Sequence, residues 1–501
     1  MAVLIISALV ITPLLITQLG KEGYGVWMLV GQVIAYLAIL DLGVGSSVGR
    51  FVAKYNAGKD YTSLSRIVSS AIFLFLVSSI LIMFATLILW PNFSKLFNLS
   101  TEYFNTGRWL VLITGLGVAS AFPLKIGQGI LEGIHCFHLI YLFRASGAFF
   151  KLLLIGFLFG LLRHNSLLLL AAITVVVTVL PNLLMCGTAY RKFSNVSLGL
   201  THVKLSSLKE IWSLSLTALL GTLATLLFNQ GQVLSVGRII GPETVTLYAI
   251  PIMLLTYGSM ITSYIVAAFK PMASHMQALN KKQSLRELGI GGVKVSLTIC
   301  LFIAVAAIAF GHPFFRIWLS SKALSVQDLT VLSNVLTIMV IGFAIGVPQS
   351  VTAKILSGTD RQWFVALTSL VASLIGLCVG FVLMLKTSLG LYGMATGWAT
   401  VFFVKGVLVL PVTACRHLGI EPYSYIRKAY LPPLVVAAIL AVAAYSIRHV
   451  FDAISIVSLT LSIISCLVVY AIAVYFICLD DNQKKIVHNT VAKIRTSLLR
   501  N

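Results

Sequence analysis

Long runs of apolar residues, each of about 18 to 25 residues, follow one another along almost the whole chain. Each run is long enough to cross about 30 Å of hydrocarbon as an α-helix. A helix is the form expected in lipid, because it satisfies its backbone hydrogen bonds within its own segment. The pattern predicts an all-α integral membrane protein with about 14 transmembrane helices, at 2–19, 24–46, 67–90, 109–131, 141–163, 167–189, 211–234, 245–267, 290–312, 329–351, 363–385, 389–412, 431–449 and 453–478.

The composition agrees with this interpretation. Of the 501 residues, 59% are hydrophobic and 10% are charged, and the mean hydropathy is +1.00. No predicted loop exceeds about 25 residues, so we expect no soluble catalytic domain and no enzymatic activity. The cysteines occur singly with no C-x-x-C spacing, which predicts neither a disulfide nor a metal site, and no cofactor is expected.

The net charge of +22 is explained by the orientation of the helices in the membrane. Of the 36 Lys and Arg residues, 23 fall in one alternating set of loops and the tail, and 9 fall in the opposite set. By the positive-inside rule the richer set faces the cytoplasm, which places both termini there. The excess of positive charge therefore indicates topology, and no nucleic-acid partner is expected.

The chain carries an internal repeat. The pattern P-x6-I-L-E-G at 123–133 recurs as P-x6-I-L-S-G at 348–358, and G-K-E at 20–22 recurs as G-P-E at 241–243. The offset places six spans in each repeat, so both repeats enter the membrane in the same direction. Parallel repeats of this kind are typical of transporters, in which two helix bundles move around a central site.

The repeat predicts a division into two six-helix lobes and an appended helix pair. The predicted boundaries are 1–190 for the N-terminal lobe, 191–210 for a cytoplasmic linker, 211–412 for the C-terminal lobe, 413–478 for the appended pair, and 479–501 for a basic amphipathic tail on the cytoplasmic side.

Four basic residues lie within or just inside the spans: Lys125, Arg144, Lys151 and Lys405. A basic side chain at the bilayer centre costs about 2.5–3.5 kcal/mol, and such residues usually face a water-filled cavity. One hypothesis is a cationic cavity that binds a phosphate or pyrophosphate. The alternative is that the long side chains extend to the membrane interface.

Two acidic residues and two prolines complete the set of candidates. Asp41 and Glu132 lie near the predicted cytoplasmic ends of their spans, where they could couple transport to protons or sodium, or simply pair with Lys125 and Arg144. Pro123 and Pro348 free a backbone carbonyl and can kink a helix, which suits either gating or inert packing.

Several segments together resemble a known family. L-G-K-E-G-Y-G-V-W at 19–27, D-L-G-V-G at 41–45 and R-F-V-A-K-Y at 50–55 resemble the opening of Wzx-type polysaccharide flippases. I-L-S-G-T at 355–359 resembles the second-half signature of the same group. These flippases belong to the multidrug/oligosaccharidyl-lipid/polysaccharide exporter (MOP) superfamily. The chain departs from the usual pattern in having 14 predicted spans where 12 are common.

The resemblance implies alternating access and export of a polyprenyl-pyrophosphate-linked oligosaccharide from the inner to the outer leaflet of the bacterial cytoplasmic membrane, for surface polysaccharide biosynthesis. It also implies a cationic central cavity. The expected partners are the lipid-linked oligosaccharide, membrane lipids and the polysaccharide polymerase machinery. Two alternatives stay open: an ion-coupled multidrug or cation antiporter of the same superfamily, and an integral-membrane sugar polymerase or ligase.

Overall fold

A computed structural model describes residues 2–41, 43–161, 167–192, 199, 202–319, 323–450, 455–480 and 484. Within these ranges every long element is helical. The helices of the first half are α1 (Ala2–Leu37), α2 (Val44–Ala57), α3 (Tyr61–Leu96), α4 (Thr101–Ala121), α5 (Lys125–Gly133), α6 (Phe137–Leu161) and α7 (Leu167–Lys192). The predicted tail helix falls mostly outside the described residues.

The second half repeats this order and then adds the appended pair. Its helices are α8 (Leu205–Ile239), α9 (Pro242–Val266), α10 (Phe269–Ala278), α11 (Lys282–Trp318), α12 (Val326–Gly346), α13 (Ser350–Gly358), α14 (Gln362–Lys386), α15 (Leu391–Val404), α16 (Leu410–Leu418), α17 (Pro422–Tyr425), α18 (Leu431–Val450) and α19 (Ile456–Ile477). Short 3-10 or π-helical turns join several of them, including Ala38–Asp41, Val347–Gln349, Lys405–Val409 and Ile426–Tyr430.

The described residues contain 13 helical stretches that are long and apolar enough to cross a membrane. The first stretch, Ile5–Asp41, covers the first two predicted spans, which accounts for the difference from 14. Its helix α1 is interrupted at Gly20, where φ is 70° and ψ is 179°. Glycine adopts such a backbone conformation without a steric penalty. The predicted all-α, multi-pass membrane fold is confirmed.

The internal repeat is visible in the backbone. Helices α4, α5 and α6 have 21, 9 and 25 residues, and α12, α13 and α14 have the same lengths. Residues with positive φ recur at matching places: Gly20 (70°) with Gly241 (124°), Lys59 (52°) with Asn280 (54°), and His135 (58°) with Asp360 (62°). The two halves therefore fold as repeats, each with its own breaks between helices.

Backbone contacts divide the chain into two compact units. The first comprises residues 1–250, 321–325 and 366–394, and its core packs α2, α3, α5 and α7 around the buried side chains of Phe75, Phe122 and Leu131. The second comprises residues 251–320, 326–365 and 395–501, and in it α18 and α19 pack against α11 around Phe310 and Val436. The lobe boundaries at residues 190, 211 and 412 stay a prediction.

Within the first unit, the segment 20–25 contacts its counterpart in the second repeat. Thr246 Oγ1 donates a hydrogen bond to the carbonyl of Lys21 at 2.6 Å, and the Lys21 ammonium lies 3.7 Å from the carboxylate of Glu243. A methyl group on Gly25 would lie 1.8 Å from the carbonyl oxygen of Pro242. The glycine of this motif is therefore required by a backbone contact between equivalent parts of the two repeats.

We expect Gly25→Ala to destabilise the protein by about 1–3 kcal/mol, because the added methyl group overpacks this contact. The matched control is Gly31→Ala in the same helix, where an added methyl group meets nothing within 4 Å. The measurement is thermal unfolding of both variants in detergent. Equal midpoints for the two variants would show that the contact does not constrain Gly25.

Candidate functional site: the charged face of α5

The short helix α5 has the sequence K-I-G-Q-G-I-L-E-G and separates its residues into two faces. Lys125, Gln128 and Glu132 stand at positions i, i+3 and i+7, which places them along one side of a helix. All three are half-buried, whereas the remaining residues are buried: Ile126, Gly127, Gly129, Ile130, Leu131 and Gly133. We call the side formed by Lys125, Gln128 and Glu132 the charged face of α5.

Glycines on the buried side of α5 allow its neighbours to approach closely. A methyl group on Gly127 would lie 2.4 Å from the backbone of Cys186 in α7. A methyl group on Gly133 would lie 2.5 Å from the side chain of Val52 in α2. Because real side chains do not pack at such distances, α5 can hold this position only with glycine at both places. The contacts with α2 and α7 therefore determine where the charged face points.

The ion pair of the charged face joins α5 to the 3-10 turn Ala38–Asp41, which follows α1. The Lys125 ammonium lies 3.0 Å from Asp41 Oδ2, and both side chains keep a little over a quarter of their exposure. The other carboxylate oxygen of Asp41 accepts a hydrogen bond of 3.1 Å from the backbone N–H of Gly45. The Lys125 ammonium also lies 3.9 Å from the ring centroid of Phe122. Asp41 and Lys125 thus form an ion pair. A role of Asp41 in ion coupling stays a prediction.

The second set of contacts joins α5 to α6 through an amide. Arg144 Nη2 donates to Gln128 Oε1 at 2.8 Å, and Gln128 Nε2 donates to Glu132 Oε1 at 2.6 Å. Arg144 is exposed on α6, and Gln128 lies between the two charges. Gln128 is not among the residues predicted from the sequence, although its spacing from Lys125 and Glu132 is a usable signal.

The structure therefore brings four of the predicted residues to the charged face: Asp41, Lys125, Glu132 and Arg144. Lys151 lies two turns after Arg144 on α6, is half-buried, and makes no hydrogen bond or ion pair within the described part of the chain. Lys405 is half-buried at the start of the π-helical turn Lys405–Val409 in the second unit.

The two candidate prolines lie at helix interruptions. Pro123 is in the turn between α4 and α5, directly before the charged face. Pro348 is in the 3-10 turn Val347–Gln349 between α12 and α13. Proline cannot donate a backbone hydrogen bond, which favours a break at both places. The residue type alone does not decide it, because α7 and α9 continue through Pro181 and Pro251. The predicted interruptions are present, and a gating role stays a prediction.

The second repeat builds a helix of the same length in which the places of the charged face are uncharged; the charge that α13 does carry, Lys354, stands at the place of Gly129. At the offset of 225 residues, the places of the three polar residues of α5 are taken in α13 by Ser350, Ala353 and Ser357. The glycine at the end of the helix is retained as Gly358. A nine-residue helix at this place in the fold therefore does not require a charged face, and the charges of α5 need another explanation.

Solved structures with the same fold are transporters and flippases of the MOP superfamily. One is an inward-facing multidrug resistance MATE family transporter, with a TM-score of 0.68 and 16% identity over 82% of this chain and 94% of that chain. Another is the lipid II flippase MurJ in an inward closed conformation, with a TM-score of 0.67 and 15% identity over 94% and 96%. A third is a MOP superfamily transporter from Pyrococcus furiosus, with a TM-score of 0.64 and 16% identity over 84% and 93%. The chain thus has the helical membrane fold that these proteins share.

Sequence comparison gives the family. The family described as "Polysaccharide biosynthesis protein" matches residues 1–277, and MatE matches residues 218–382. The chain belongs to the polysaccharide biosynthesis protein family. No curated protein matches the sequence. The predicted membership of the MOP superfamily is confirmed.

We expect removal of one partner of the Lys125–Asp41 pair to cost more than removal of both. Lys125→Met or Asp41→Asn alone leaves a half-buried charge without its partner, at about 1.5–3 kcal/mol, whereas the double variant leaves no charge. The measurement is a double-mutant cycle on the free energy of unfolding in detergent micelles. Strictly additive effects would mean that the two side chains do not interact in the folded protein.

Proposed function

We propose that this protein is a flippase that moves a polyprenyl-pyrophosphate-linked oligosaccharide from the inner to the outer leaflet by alternating access. The observation that carries the proposal is the charged face of α5, which the first repeat has and the second repeat lacks. Membership of the polysaccharide biosynthesis protein family gives the class of substrate, and the lipid II flippase shares the fold.

The contacts that each basic side chain makes indicate its role in binding the pyrophosphate. Arg144 uses one donor on Gln128, and its exposed guanidinium retains further donors that suit the two oxygens of a phosphate. Lys151, on the same side of α6 two turns away, supplies a second positive charge to the pyrophosphate. Lys125 is held by Asp41 and contributes to binding when the pair separates. Lys405 stays a predicted substrate-binding cation.

The proposal includes a bacterial cytoplasmic membrane with both termini on the cytoplasmic side, since 23 basic residues occupy that set of loops and the tail. In this orientation an inside-negative potential favours outward movement of the pyrophosphate, by about 2.3 kcal/mol per charge per 100 mV. The proposed function is translocation of the substrate, in which no covalent bond is formed or broken, so it is not an enzymatic reaction. Asp41 and Glu132 are the candidates for ion coupling, and the polymerase machinery would receive the product.

A multidrug or cation antiporter is the second candidate, because a MATE transporter shares the fold. A cationic drug calls for a carboxylate that is available to it. Asp41 and Glu132 are both engaged, by Lys125 and by Gln128. The contacts of the charged face therefore favour an anionic substrate.

The test is native mass spectrometry of lipids that co-purify with the protein, together with translocation of a fluorescent polyprenyl-pyrophosphate glycan in liposomes. We expect the Arg144→Ala/Lys151→Ala double variant to retain roughly 10- to 100-fold less of this lipid, as two charge-assisted contacts are lost. Translocation should fall with retention.

The matched control is Lys95→Ala/Lys386→Ala, which removes the same charge from two exposed positions away from α5 and α6. Equal loss in both double variants would show a general effect of net charge. Retention of the lipid by all variants would remove Arg144 and Lys151 from the site. Binding of lipophilic cations that depends on Asp41 or Glu132, with no lipid retained, would favour the antiporter.

A further inference from the structure

We propose that Gln128 is a positioning residue, whose side-chain amide holds Arg144 and separates its guanidinium from the Glu132 carboxylate. The separation keeps Arg144 from being neutralised by a direct ion pair and leaves it able to bind a pyrophosphate. This inference rests on the proposed function, and it assigns a role to a residue that charge analysis of the sequence does not single out.

The two hydrogen bonds of the Gln128 amide form a chain from donor to acceptor, from Arg144 through Gln128 to Glu132. A guanidinium has only donors and an ionised carboxylate has only acceptors. An amide carries one acceptor and two donors, so it can accept from Arg144 and donate to Glu132 at the same time. The distances of 2.8 Å and 2.6 Å fit this assignment. The amide therefore satisfies both charges without bringing them together.

Without the amide, Arg144 and Glu132 are expected to pair directly. They have opposite charges, they bind the same small group, and the flexible arginine side chain can move towards the carboxylate. Lys125 shows the result of direct pairing on the same face, where its ammonium lies 3.0 Å from Asp41. A guanidinium that is paired in this way offers fewer donors to a phosphate and less net positive charge.

The second repeat indicates that Gln128 is not required for folding of α5. The equivalent place in α13 is Ala353, in a helix of the same length. Alanine is also the best helix former, so Gln128→Ala is compatible with the backbone of α5. A variant that removes only the amide is therefore expected to fold.

The experiment measures binding of farnesyl pyrophosphate to the purified full chain in detergent, by isothermal titration calorimetry. We expect Gln128→Ala to weaken binding about tenfold, close to the effect of one lost charge-assisted contact. We expect Gln128→Ala/Glu132→Gln to bind within about threefold of wild type, because the competing carboxylate is gone. A merely structural role of Gln128 would not be rescued by a change at Glu132.

A second measurement reports on Arg144 without any substrate. Phenylglyoxal modifies exposed guanidinium groups, and the rate at Arg144 is read by peptide mass spectrometry. The rate should fall in Gln128→Ala and recover in the double variant. The matched control is Gln283→Ala, which removes the amide of a comparable glutamine–glutamate pair, Gln283 Nε2 to Glu287 Oε1 at 2.8 Å, in α11. This control should change neither binding nor labelling of Arg144.

The outcomes separate this inference from the proposed function. An unchanged labelling rate in Gln128→Ala, or failure of Glu132→Gln to rescue, overturns the positioning role. If labelling falls and recovers as expected but wild type does not bind farnesyl pyrophosphate, Gln128 still positions Arg144, and the pyrophosphate substrate of the proposed function is wrong.

Discussion

Close backbone contact at the glycines of α5 is the constraint on which the candidate site depends. Gly127 and Gly133 leave room for α7 and α2 to pack directly against the helix, so its buried side cannot rotate away. Protein interiors are packed as densely as organic crystals, and a contact of this kind admits no larger side chain. With one side of α5 held, Lys125, Gln128 and Glu132 can only face the other way, towards Asp41 and Arg144.

Contacts among the side chains of the charged face also lower the free-energy cost of placing ionisable groups in a membrane. An unpaired charge costs about 2.5–3.5 kcal/mol at the bilayer centre and less near the ends of the spans, where Asp41 and Glu132 are predicted to lie. Here two cations and two carboxylates lie together, so the cluster has no net formal charge, and its polar atoms bond to one another. One pair is direct and the other passes through an amide. The difference matters chemically. A neutral amide does not offset the positive charge of the guanidinium, so more of that charge is available to attract an anionic ligand.

Comparison of the two repeats distinguishes features that the backbone fold requires from side chains that serve the function. Helix lengths, breaks and positive-φ residues recur in both halves, because they serve the backbone. The charges of α5 do not recur in α13, where serine and alanine occupy the same places. Structures of a MATE transporter and of a lipid II flippase share this fold at 15–16% identity, so the fold alone does not determine the substrate. Side chains that one repeat carries and the other lacks are therefore the better indication of the substrate.

The all-helical membrane fold, the internal repeat and the few charged residues within the spans can be predicted from the amino-acid sequence alone. Hydropathy, glycine and proline are local signals of where helices lie and end. They are strong in a membrane protein, because each helix in lipid must satisfy its backbone hydrogen bonds within its own segment. The break at Gly20 within α1 and the turns at Pro123 and Pro348 lie at such residues, although α7 and α9 continue through a proline. Which of these side chains contact one another depends on the packing between helices. Lys125 of α5 pairs with Asp41 of the turn after α1, and Gln128 of α5 accepts from Arg144 of α6, so both contacts depend on how these segments pack. Gln128 carries no charge, so only its position between Arg144 and Glu132 reveals it.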